Sequence, residues 1–516
     1  MKTKIIPLTG DLKENLYQLG MKEKYAFERI EERVTRLLST SDILRQGRDI
    51  ISRARAGLKK KKDLSFFEEC VAAYAEGMKI EPSRYMSFLS LFEIAAHYGQ
   101  IYPELKGLLP GCTSVFHKRD NEFCHARLLD FPLTGIFDDS PRLYYWKTEG
   151  KPSFLSYSCE GLAPLFFQGV HEKGISFAIH HKPGHSFHKD GESIFQIAFE
   201  TMFNVQSMTD VKREVRKKTS MTKWCFLMMD KDGLAKVIDM DGPAITSENY
   251  QLTDRPLIFT NIPLQNDQTG FENFLSLCED RQKWISEKLT QKKTGHVLDI
   301  ITDINQHSEK KWLHPGATLS TIAAYQVNLT RGYIDLKESN GAIVKADAMV
   351  RIDLSKNQSM TLLKEAETMS DAEKAWKLAS VAQSDYDQGH FAEAYHHLQM
   401  AEALMPHKIW KNIFSFYICL WDFRFVANEN ELRHVYKRVK HIKLPEKLRG
   451  QWSLFMMRLE KKLDLSQSQK IEDLDPVHRE IFQLELDASR PVFSTWMKLL
   501  YPRLEILDVF SPHDQK

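Results

Sequence analysis

A cysteine that could act as a nucleophile stands at position 112, within the stretch GCTSV at residues 111–115. Glycine precedes it, two hydroxyl residues follow it, and Arg127 and Asp130 come further along the chain in the stretch RLLDF. A cysteine attacks as its thiolate, and an ordinary thiol, with a pKa of about 8.5, is mostly protonated at neutral pH. Such a residue therefore needs a nearby cation or base, and Arg127 is a candidate for the cation.

The base that would take the thiol proton has two candidate sources. One is a histidine elsewhere in the chain, and the other is the α-amino group of Cys112 itself, which would require a cut after Gly111. An α-amine has an unperturbed pKa of about 7.7–8.0 and lies within hydrogen-bond reach of its own side chain. Glycine suits a cut there because it leaves the scissile carbonyl unshielded. The plainer interpretation is an ordinary buried cysteine that begins a strand.

The bulk composition limits the partners of the chain. Its 516 residues are too many for one ordinary core, so two or three structural units are expected. The 71 basic residues nearly balance the 69 acidic ones, and a net charge of +2 gives no indication of a nucleic-acid partner. The 7 cysteines are scattered and form no C-x-x-C pair, so neither structural zinc nor a disulfide framework is expected. We expect no metal and no cofactor.

Hydrophobic segments indicate neither secretion nor a membrane span. The amino-terminal stretch turns polar after Ile5 and Ile6, so it lacks the apolar core of a secretory signal, and a cytoplasmic protein is expected. The most apolar later run, residues 412–425, contains Asp422 and Arg424 and falls short of the ~20 residues that a membrane helix needs. This run is predicted to be a buried helix.

Three regions of different hydrophobic pattern follow one another along the chain. Residues 11–100 carry apolar side chains at helical spacing, and residues 112–350 consist mostly of short β-branched and aromatic runs separated by turn residues. A helical stretch separates two groups of these strands, so the order of elements predicts an α+β sandwich. After about residue 353 the pattern is helical. The predicted domains are a helical leader at 1–111, a sandwich domain at 112–362 and a helical domain at 363–516.

One stretch of the helical region has the pattern of a tetratricopeptide repeat. The sequence QGHFAEAYHHLQMAEALMP, beginning at Gln388, matches the offsets of the second helix of such a repeat. Only one copy is convincing, and solenoids need about three repeats to be stable alone. The region is therefore either a helical appendage packed on the rest of the protein or a platform for a protein partner.

Several separated segments together carry a resemblance to a known family. In chain order they are CTSV with HARLLDF, then GVHEKGISFAI, then IFTNIPLQ, and then CEDRQKW. They resemble the amino-terminal-nucleophile (Ntn) hydrolases of the linear-amide group, which includes choloylglycine hydrolase, penicillin acyltransferase, acid ceramidase and N-acylethanolamine acid amidase. The arginine and aspartate of the family motif G-R-N-x-D match Arg127 and Asp130, whereas Ala126 and Leu128 replace its glycine and asparagine. The resemblance covers residues 112 to about 350, and the leader weakly.

This resemblance implies an αββα sandwich that hydrolyses the C–N bond of a linear amide, with a small acylated amine as substrate. It implies that Cys112 first cuts its bond to Gly111 and then serves as the nucleophile, with its own amine as the base. Arg127 would favour the thiolate, and Asp130 would accept a hydrogen bond from the amine and orient it. A surface ion pair between Arg127 and Asp130 is the plainer alternative.

Three further residues match functional positions of the family. By the resemblance, Asn261 would donate a hydrogen bond to the oxyanion that forms during attack, and Arg281 would brace the site. His181 stands where relatives of the bile-salt type have an asparagine as a second donor, and a histidine can also donate. The plainer interpretations are a strand end for Asn261 and for His181, and a solvated helix position for Arg281.

Three alternatives remain open on the sequence alone. The acyl-thioester on Cys112 could pass its acyl group to a second amine, which would make the protein an acyltransferase. A papain-type protease would pair Cys112 with a remote histidine such as His181 or His314. A non-catalytic protein would keep an Ntn-like scaffold and use its helical region for interactions. The state of the 111–112 bond separates the classes, because only an active Ntn enzyme requires it to be cut.

Overall fold

The computed structural model contains two compact units, which divide between Glu367 and Thr368. The two β-sheets and the described leader, apart from residues 36–38, belong to the first unit, and the described elements of the second unit are helices. The domain boundaries given by the sequence, at 111/112 and 362/363, stay predictions. The structure describes residues 3–38, 64–101, 111–131, 135–184, 186–265, 272–292, 294–302, 316–338, 344–354, 359–445, 448–474, 479 and 504.

Eight strands form the first sheet. They are β1 Lys4–Thr9, β4 Pro141–Lys147, β5 Phe154–Cys159, β6 Gln168–His171, β7 Ile175–His181, β8 Trp224–Asp230, β9 Leu234–Asp241 and β10 Ala244–Gln251. Their spatial order is β1-β4-β5-β6-β7-β8-β9-β10. Only β1 pairs in parallel, with β4, and the other pairs of this sheet are antiparallel. The leader, for which the sequence predicts helices, thus also supplies an edge strand of this sheet.

Seven antiparallel strands form the second sheet. They are β2 Gly111–Arg119, β3 Glu122–Asp130, β11 Leu257–Phe259, β12 Thr321–Asn328, β13 Tyr333–Glu338, β14 Met349–Asp353 and β15 Met360–Lys364. Their spatial order is β11-β2-β3-β12-β13-β14-β15. Between β2 and β3 the chain turns at Asp120 and Asn121, whose φ angles are +50° and +61°. Two left-handed residues are what a two-residue type I′ hairpin turn requires, so this turn fixes the register of β2 against β3.

Helices of the first unit cover the outer faces of the sheets. They are α1 Leu12–Leu38, α2 Phe66–Gly77, α3 Pro82–Ile101, α4 Ile194–Asn204, α5 Met208–Val215, α6 Glu272–Gln291 and α7 Val297–Ile301. Phe199 of α4 packs on Trp146 of the first sheet, with ring centroids 5.1 Å apart, and α6 and α7 contact the second sheet. Between the sheets Ser114 Oγ of β2 lies 2.9 Å from His180 Nε2 of β7. The predicted α+β fold with αββα layers is confirmed.

The leader helix α1 is joined to the first sheet through a buried carboxylate. Glu23, 3% exposed, accepts hydrogen bonds from the hydroxyls of Tyr74 and Tyr144 and from Gly161 N, the last at 3.0 Å. Burial raises the pKa of Glu23 to about 7, against the effect of these hydrogen bonds. The donors come from α2 and from the first sheet and the turn that follows β5, so this one side chain joins three parts of the unit.

A second leader carboxylate, on α3, is buried at the start of α4. Glu93 accepts hydrogen bonds from Ile194 N and from Trp224 Nε1, both at 2.7 Å, and also from the Thr222 hydroxyl. An N–H at the first turn of a helix has no partner within that helix, and a carboxylate there is favoured by the helix dipole. The leader is therefore part of the packing of the first unit, because it satisfies polar groups that would otherwise be buried without partners.

The second unit contains α8 Asp371–Gln388, α9 Phe391–Leu404, α10 Lys408–Phe425, α11 Glu429–Lys440 and α12 Arg449–Lys462. A capping box of Ser370 and Glu373 begins α8, and Gly389 ends it with a φ of +84°. The apolar run predicted to be a buried helix lies in α10. In this helix Trp410 packs edge-on against Trp376, with ring centroids 3.9 Å apart. The tetratricopeptide character of this unit stays a prediction. In the described part of the chain, no helix is long and apolar enough to cross a membrane.

Replacing Glu23 with glutamine should make the stability of the protein less dependent on pH. Because burial raises the pKa of Glu23 to about 7, the folded state favours the protonated carboxyl. Its stabilising contribution is full below the unfolded pKa of about 4.3 and is lost progressively as the pH rises to 7. Between pH 5 and pH 8 the free energy of unfolding of the wild type should fall by on the order of 2–3 kcal/mol relative to that of Glu23→Gln.

Chemical denaturation of both proteins across this pH range measures that difference. Glu76→Gln, an exposed position on α2, is the matched control and should follow the wild type. Parallel curves for wild type and Glu23→Gln would show that Glu23 does not titrate in this range.

Candidate active site

The hairpin of β2 and β3 places the predicted site residues on the two faces of the second sheet. In its register Cys112 pairs with Leu129, and Gly111 pairs with Asp130. Alternate residues of a strand share a face. Cys112 and Arg127 therefore project toward the first sheet, whereas Asp130 projects toward the outer helices.

The thiol of Cys112 lies against the guanidinium of Arg127. Arg127 Nη2 is 3.0 Å from Cys112 Sγ and donates to the carbonyl of Ile179 at 2.6 Å, and Nη1 donates to the carbonyl of Phe167. Cys112 is 2% exposed and Arg127 is fully buried. Burial raises the pKa of the Cys112 thiol, and the charge and hydrogen bond of Arg127 act against this rise. Arg127 thus favours the thiolate in a place where burial favours the thiol.

The backbone nitrogen of Cys112 is held by Asn261. This peptide nitrogen donates to Asn261 Oδ1 at 3.1 Å, and Asn261 Nδ2 donates to the carbonyl of His181 at 2.8 Å. Asn261 follows the short strand β11 and is 1% exposed. In the intact chain the acceptor for the Cys112 nitrogen is therefore this carboxamide, whereas the resemblance assigns that part to Asp130.

Asp130 is held on the other face of the sheet, and both of its oxygens are bonded. Arg281 of α6 donates to Asp130 Oδ2 at 2.7 Å and to Thr113 Oγ1 at 3.2 Å, and Thr321 donates to Asp130 Oδ1 at 2.6 Å. Gly111 lies directly beside this carboxylate, since a Cβ built on it would be 2.9 Å from Oδ2. The structure therefore brings Asp130 and Arg281 together next to the bond that the sequence predicts to be cut.

His181 contributes its backbone to this group of residues. Its carbonyl accepts from Asn261, while its ring packs edge-on against Trp224 with centroids 5.2 Å apart. Because His180 points between the sheets, the ring of His181 is on the opposite face of β7. Burial lowers the pKa of His181 to about 3, so the ring is neutral. Its predicted role as a second oxyanion donor stays a prediction.

Sequence reasoning missed a buried polar chain beside the thiol. The His180 Nδ1 atom is 3.4 Å from the carbonyl of Thr260, which can only accept, so this nitrogen carries the proton. Burial lowers the pKa of His180 well below its usual value. Its Nε2 atom therefore accepts from the Ser114 hydroxyl, which in turn lies 3.0 Å from His125 Nε2. The signal in the sequence was the alternation of His180, near the end of β7, with Lys182, which directly follows that strand.

The arrangement offers the groups that an acyl transfer needs. It holds a sulfur beside a fixed cation, the nitrogen of the same residue beside a carboxamide, and a carboxylate next to the preceding glycine. Within the described ranges, no set of three or more histidine, cysteine, aspartate or glutamate residues is placed to hold a metal ion.

Solved structures with similarity to this chain come from several amide-cleaving enzymes. Penicillin V acylase from Agrobacterium tumefaciens is 14% identical, with a TM-score of 0.33 over 50% of this chain and 99% of the acylase. A mutant of the conjugated bile acid hydrolase from Clostridium perfringens is 12% identical, with a TM-score of 0.32 over 50% of this chain and 98% of the hydrolase.

The N-acylethanolamine-hydrolyzing acid amidase ortholog of Caenorhabditis elegans is 13% identical, with a TM-score of 0.30 over 42% of this chain and 93% of the amidase. Neither a family model nor a curated protein matches the sequence. Similarity at this level does not define the reaction of this chain, since one fold hosts many chemistries.

Replacing Arg127 with methionine should slow alkylation of Cys112 about tenfold or more at pH 8. Without the guanidinium, the thiol loses the largest influence that lowers its pKa while burial still raises it, so the pKa rises further and less thiolate is present. A hydrogen bond to a charged group typically contributes ~1.5–3 kcal/mol. The measurement is the rate of labelling by iodoacetamide at residue 112, followed by peptide mass spectrometry in a Gly111→Ala chain confirmed to be uncut.

Arg119→Met, at the far end of β2, is the matched control and should leave the labelling rate unchanged. Thermal melts of each variant show whether the sandwich remains folded. A folded Arg127→Met variant that is labelled as fast as the control would show that Arg127 does not govern the thiolate.

Proposed function

We propose that this chain is a self-processing cysteine hydrolase of linear amides. Cys112 would cut its own bond to Gly111 and then act as the amino-terminal nucleophile. The observation that carries this proposal is that the sulfur and the nitrogen of Cys112 are each held by a different buried side chain. Arg127 Nη2 lies 3.0 Å from the sulfur, and Asn261 Oδ1 lies 3.1 Å from the nitrogen. A cysteine of the core would need neither contact.

In the proposed maturation the thiolate of Cys112 attacks the carbonyl carbon of Gly111. The C–N bond breaks, the acyl group moves from nitrogen to sulfur, and the nitrogen takes a proton. Water then hydrolyses the thioester, which leaves a carboxylate on Gly111 and a free amine on Cys112. The contact of Gly111 with Asp130 favours glycine there, because a Cβ 2.9 Å from Oδ2 would displace the carboxylate that Arg281 and Thr321 hold.

In the mature enzyme the freed amine would take the proton of the thiol, since an unperturbed α-amine titrates near pH 8. Asn261 Oδ1 already accepts from this nitrogen, so it would orient the lone pair toward the sulfur. A carboxamide has two N–H bonds, and the second one of Asn261 would donate to the oxyanion of the substrate. The protonated amine would first give its proton to the leaving amine of the substrate. It would then act as a base toward the water that releases the acyl group from Cys112.

The papain-type alternative requires a histidine that accepts the thiol proton, and the described geometry disfavours it. The ring of His180 is bonded to Ser114 and to the carbonyl of Thr260. His181 directs its ring to Trp224, and His314 lies outside the described residues. The contacts of His180 and His181 therefore support the amine of Cys112 as the base.

Transfer of the acyl group to a second amine is the other candidate reaction. It shares the acyl-enzyme, and the choice between water and an amine depends on how well the site excludes water. A small acylated amine is the proposed substrate in both cases. Product analysis with and without an added amine, such as glycine or taurine, distinguishes hydrolysis from transfer.

The central prediction concerns the bond between Gly111 and Cys112. Wild-type protein should run as two fragments under denaturing conditions, and the larger one should begin Cys-Thr-Ser-Val. Cys112→Ala should remain a single, inactive chain, because it lacks the attacking atom of both steps. Cys112→Ser should be cut more slowly, since a hydroxyl makes the same shift less readily. Intact mass and amino-terminal sequencing measure these outcomes.

Cys124→Ala provides the matched control, because Cys124 is also buried in this hairpin, on β3, and should be cut normally. Fully active wild-type protein with an intact 111–112 bond would exclude the amine as base. A chain that stays intact and inactive would instead favour the non-catalytic scaffold.

Replacing Asn261 with alanine should slow acylation of Cys112 by ~10²–10³-fold, the usual effect of losing one oxyanion donor. The readout is the burst of p-nitrophenol from p-nitrophenyl octanoate in mature protein. Asn328→Ala, another asparagine that is 1% exposed and is located in the second sheet, is the control and should keep the wild-type burst rate. An unchanged burst in a folded Asn261→Ala variant would remove Asn261 from the catalytic group.

A further inference from the structure

Lys182 is a buried cation that directly follows strand β7. It is 1% exposed, and its Nζ atom donates to the carbonyl of Thr260 at 2.8 Å and to the carbonyl of Ile262 at 2.6 Å. These two carbonyls lie on either side of Asn261 in the chain. The ammonium therefore holds the backbone of Asn261 from both sides.

Further hydrogen bonds join the same two segments. Thr260 O also accepts from His180 Nδ1 at 3.4 Å, and Asn261 Nδ2 donates to the carbonyl of His181 at 2.8 Å. Three consecutive residues on each side thus form one interlocked unit, here named the 180–182/260–262 clasp. Through it the position of Asn261 is tied to β7 rather than only to the three-residue strand β11 that precedes it.

A buried ammonium has to be compensated by hydrogen bonds, because removing its charge from water is costly. The short strand β11 is at the edge of the second sheet, and it leads into residues 260–262. A backbone segment with so little sheet pairing needs another restraint to hold a carboxamide within a fraction of an ångström. The two bonds of Lys182 supply that restraint at the residues before and after the carboxamide.

We propose that Lys182 is a positioning residue, which acts on the reaction at Cys112 by fixing the Asn261 carboxamide between the Cys112 nitrogen and the reacting carbonyl. This proposal rests on the proposed function. The hydrogen bonds of Lys182 Nζ go to the residues on either side of Asn261, so its effect on the reaction should pass through Asn261. If Lys182 merely stabilised the fold, replacing it would lower the stability of the protein without a specific link to Asn261.

A double-mutant cycle between Lys182→Met and Asn261→Ala tests this link. Lys182→Met keeps the length of the apolar stem and removes the donor, so the burst rate with p-nitrophenyl octanoate should fall about tenfold to a hundredfold, as a small misplacement of a catalytic group does. In the Asn261→Ala background the same substitution should change the rate by less than about twofold. The steady-state loss should be mainly in kcat, since the contact is needed in the transition state.

Lys236→Met is the matched control. Lys236 is another lysine of the first sheet with low exposure, at 7%, and its Nζ donates to the carbonyl of Met208 at 2.8 Å. It should lose stability comparable to Lys182→Met while keeping a burst rate within about threefold of the wild type.

Several outcomes decide the matter. If the effects of Lys182→Met and Asn261→Ala multiply, or if the folded Lys182→Met variant reacts at the wild-type rate, the proposal is overturned. Should Lys182→Met fail to fold, Lys182→Arg keeps a cation with several donors and Lys182→Gln keeps one neutral donor group. The burst rate should then be highest in the wild type, lower in Lys182→Arg and lowest in Lys182→Gln. Equal rates in the three proteins would overturn the proposal. Failure of the proposed function itself would be recognised separately, by the absence of any acylation of Cys112 in the wild type.

Discussion

The rest of the site depends on the hydrogen bonds of the Arg127 guanidinium, which is buried between the two sheets. This guanidinium comes from the second sheet, donates to the carbonyl of Ile179 on the first sheet and to that of Phe167 just before β6, and touches the sulfur of Cys112. A buried cation is costly unless hydrogen bonds compensate it. The two Nη atoms make such bonds, whereas Nε has no hydrogen-bond partner in the described part of the chain. The bonds of the Nη atoms also link the second sheet to β7 beside Cys112, so one group stabilises both the sandwich and the surroundings of the sulfur.

Pleating of the strands then separates the two tasks of the site. The sulfur of Cys112 lies between the sheets with Arg127, whereas the carboxylate of Asp130 is held by Arg281 and Thr321 on the outer face, next to Gly111. The bond between Gly111 and Cys112 passes from one environment to the other. Under the proposed function, a cut at this bond would free an amine next to Asn261, whose Oδ1 accepts a hydrogen bond from the Cys112 nitrogen.

Buried polar groups elsewhere in the first unit follow the same rule. Glu23 and Glu93 of the leader accept hydrogen bonds from the first sheet and from α4, and Lys182 donates to the segment around Asn261. Removing one partner from such a group leaves the other buried and unsatisfied, which is more costly than the bond itself is worth. The leader and the clasp are thus held in place by the need to pair buried polar groups as well as by apolar packing.

The sequence alone determined the kind of fold, and it predicted candidate residues around Cys112 that stay a proposal. Periodicity distinguishes strands from helices because it depends on neighbouring residues, and the α+β sandwich is confirmed. Proximity across the chain was not predictable in this way. Thr321, for example, carries no local signal for its bond to Asp130, since a buried donor differs from a surface one only through partners far along the chain. Tertiary structure alone decided that Asn261 accepts from the Cys112 peptide nitrogen in the intact chain, and that His181 offers its carbonyl while its ring faces Trp224. The physical reason is that strand alternation assigns each side chain to a face, but only the packing of two sheets decides what that face meets.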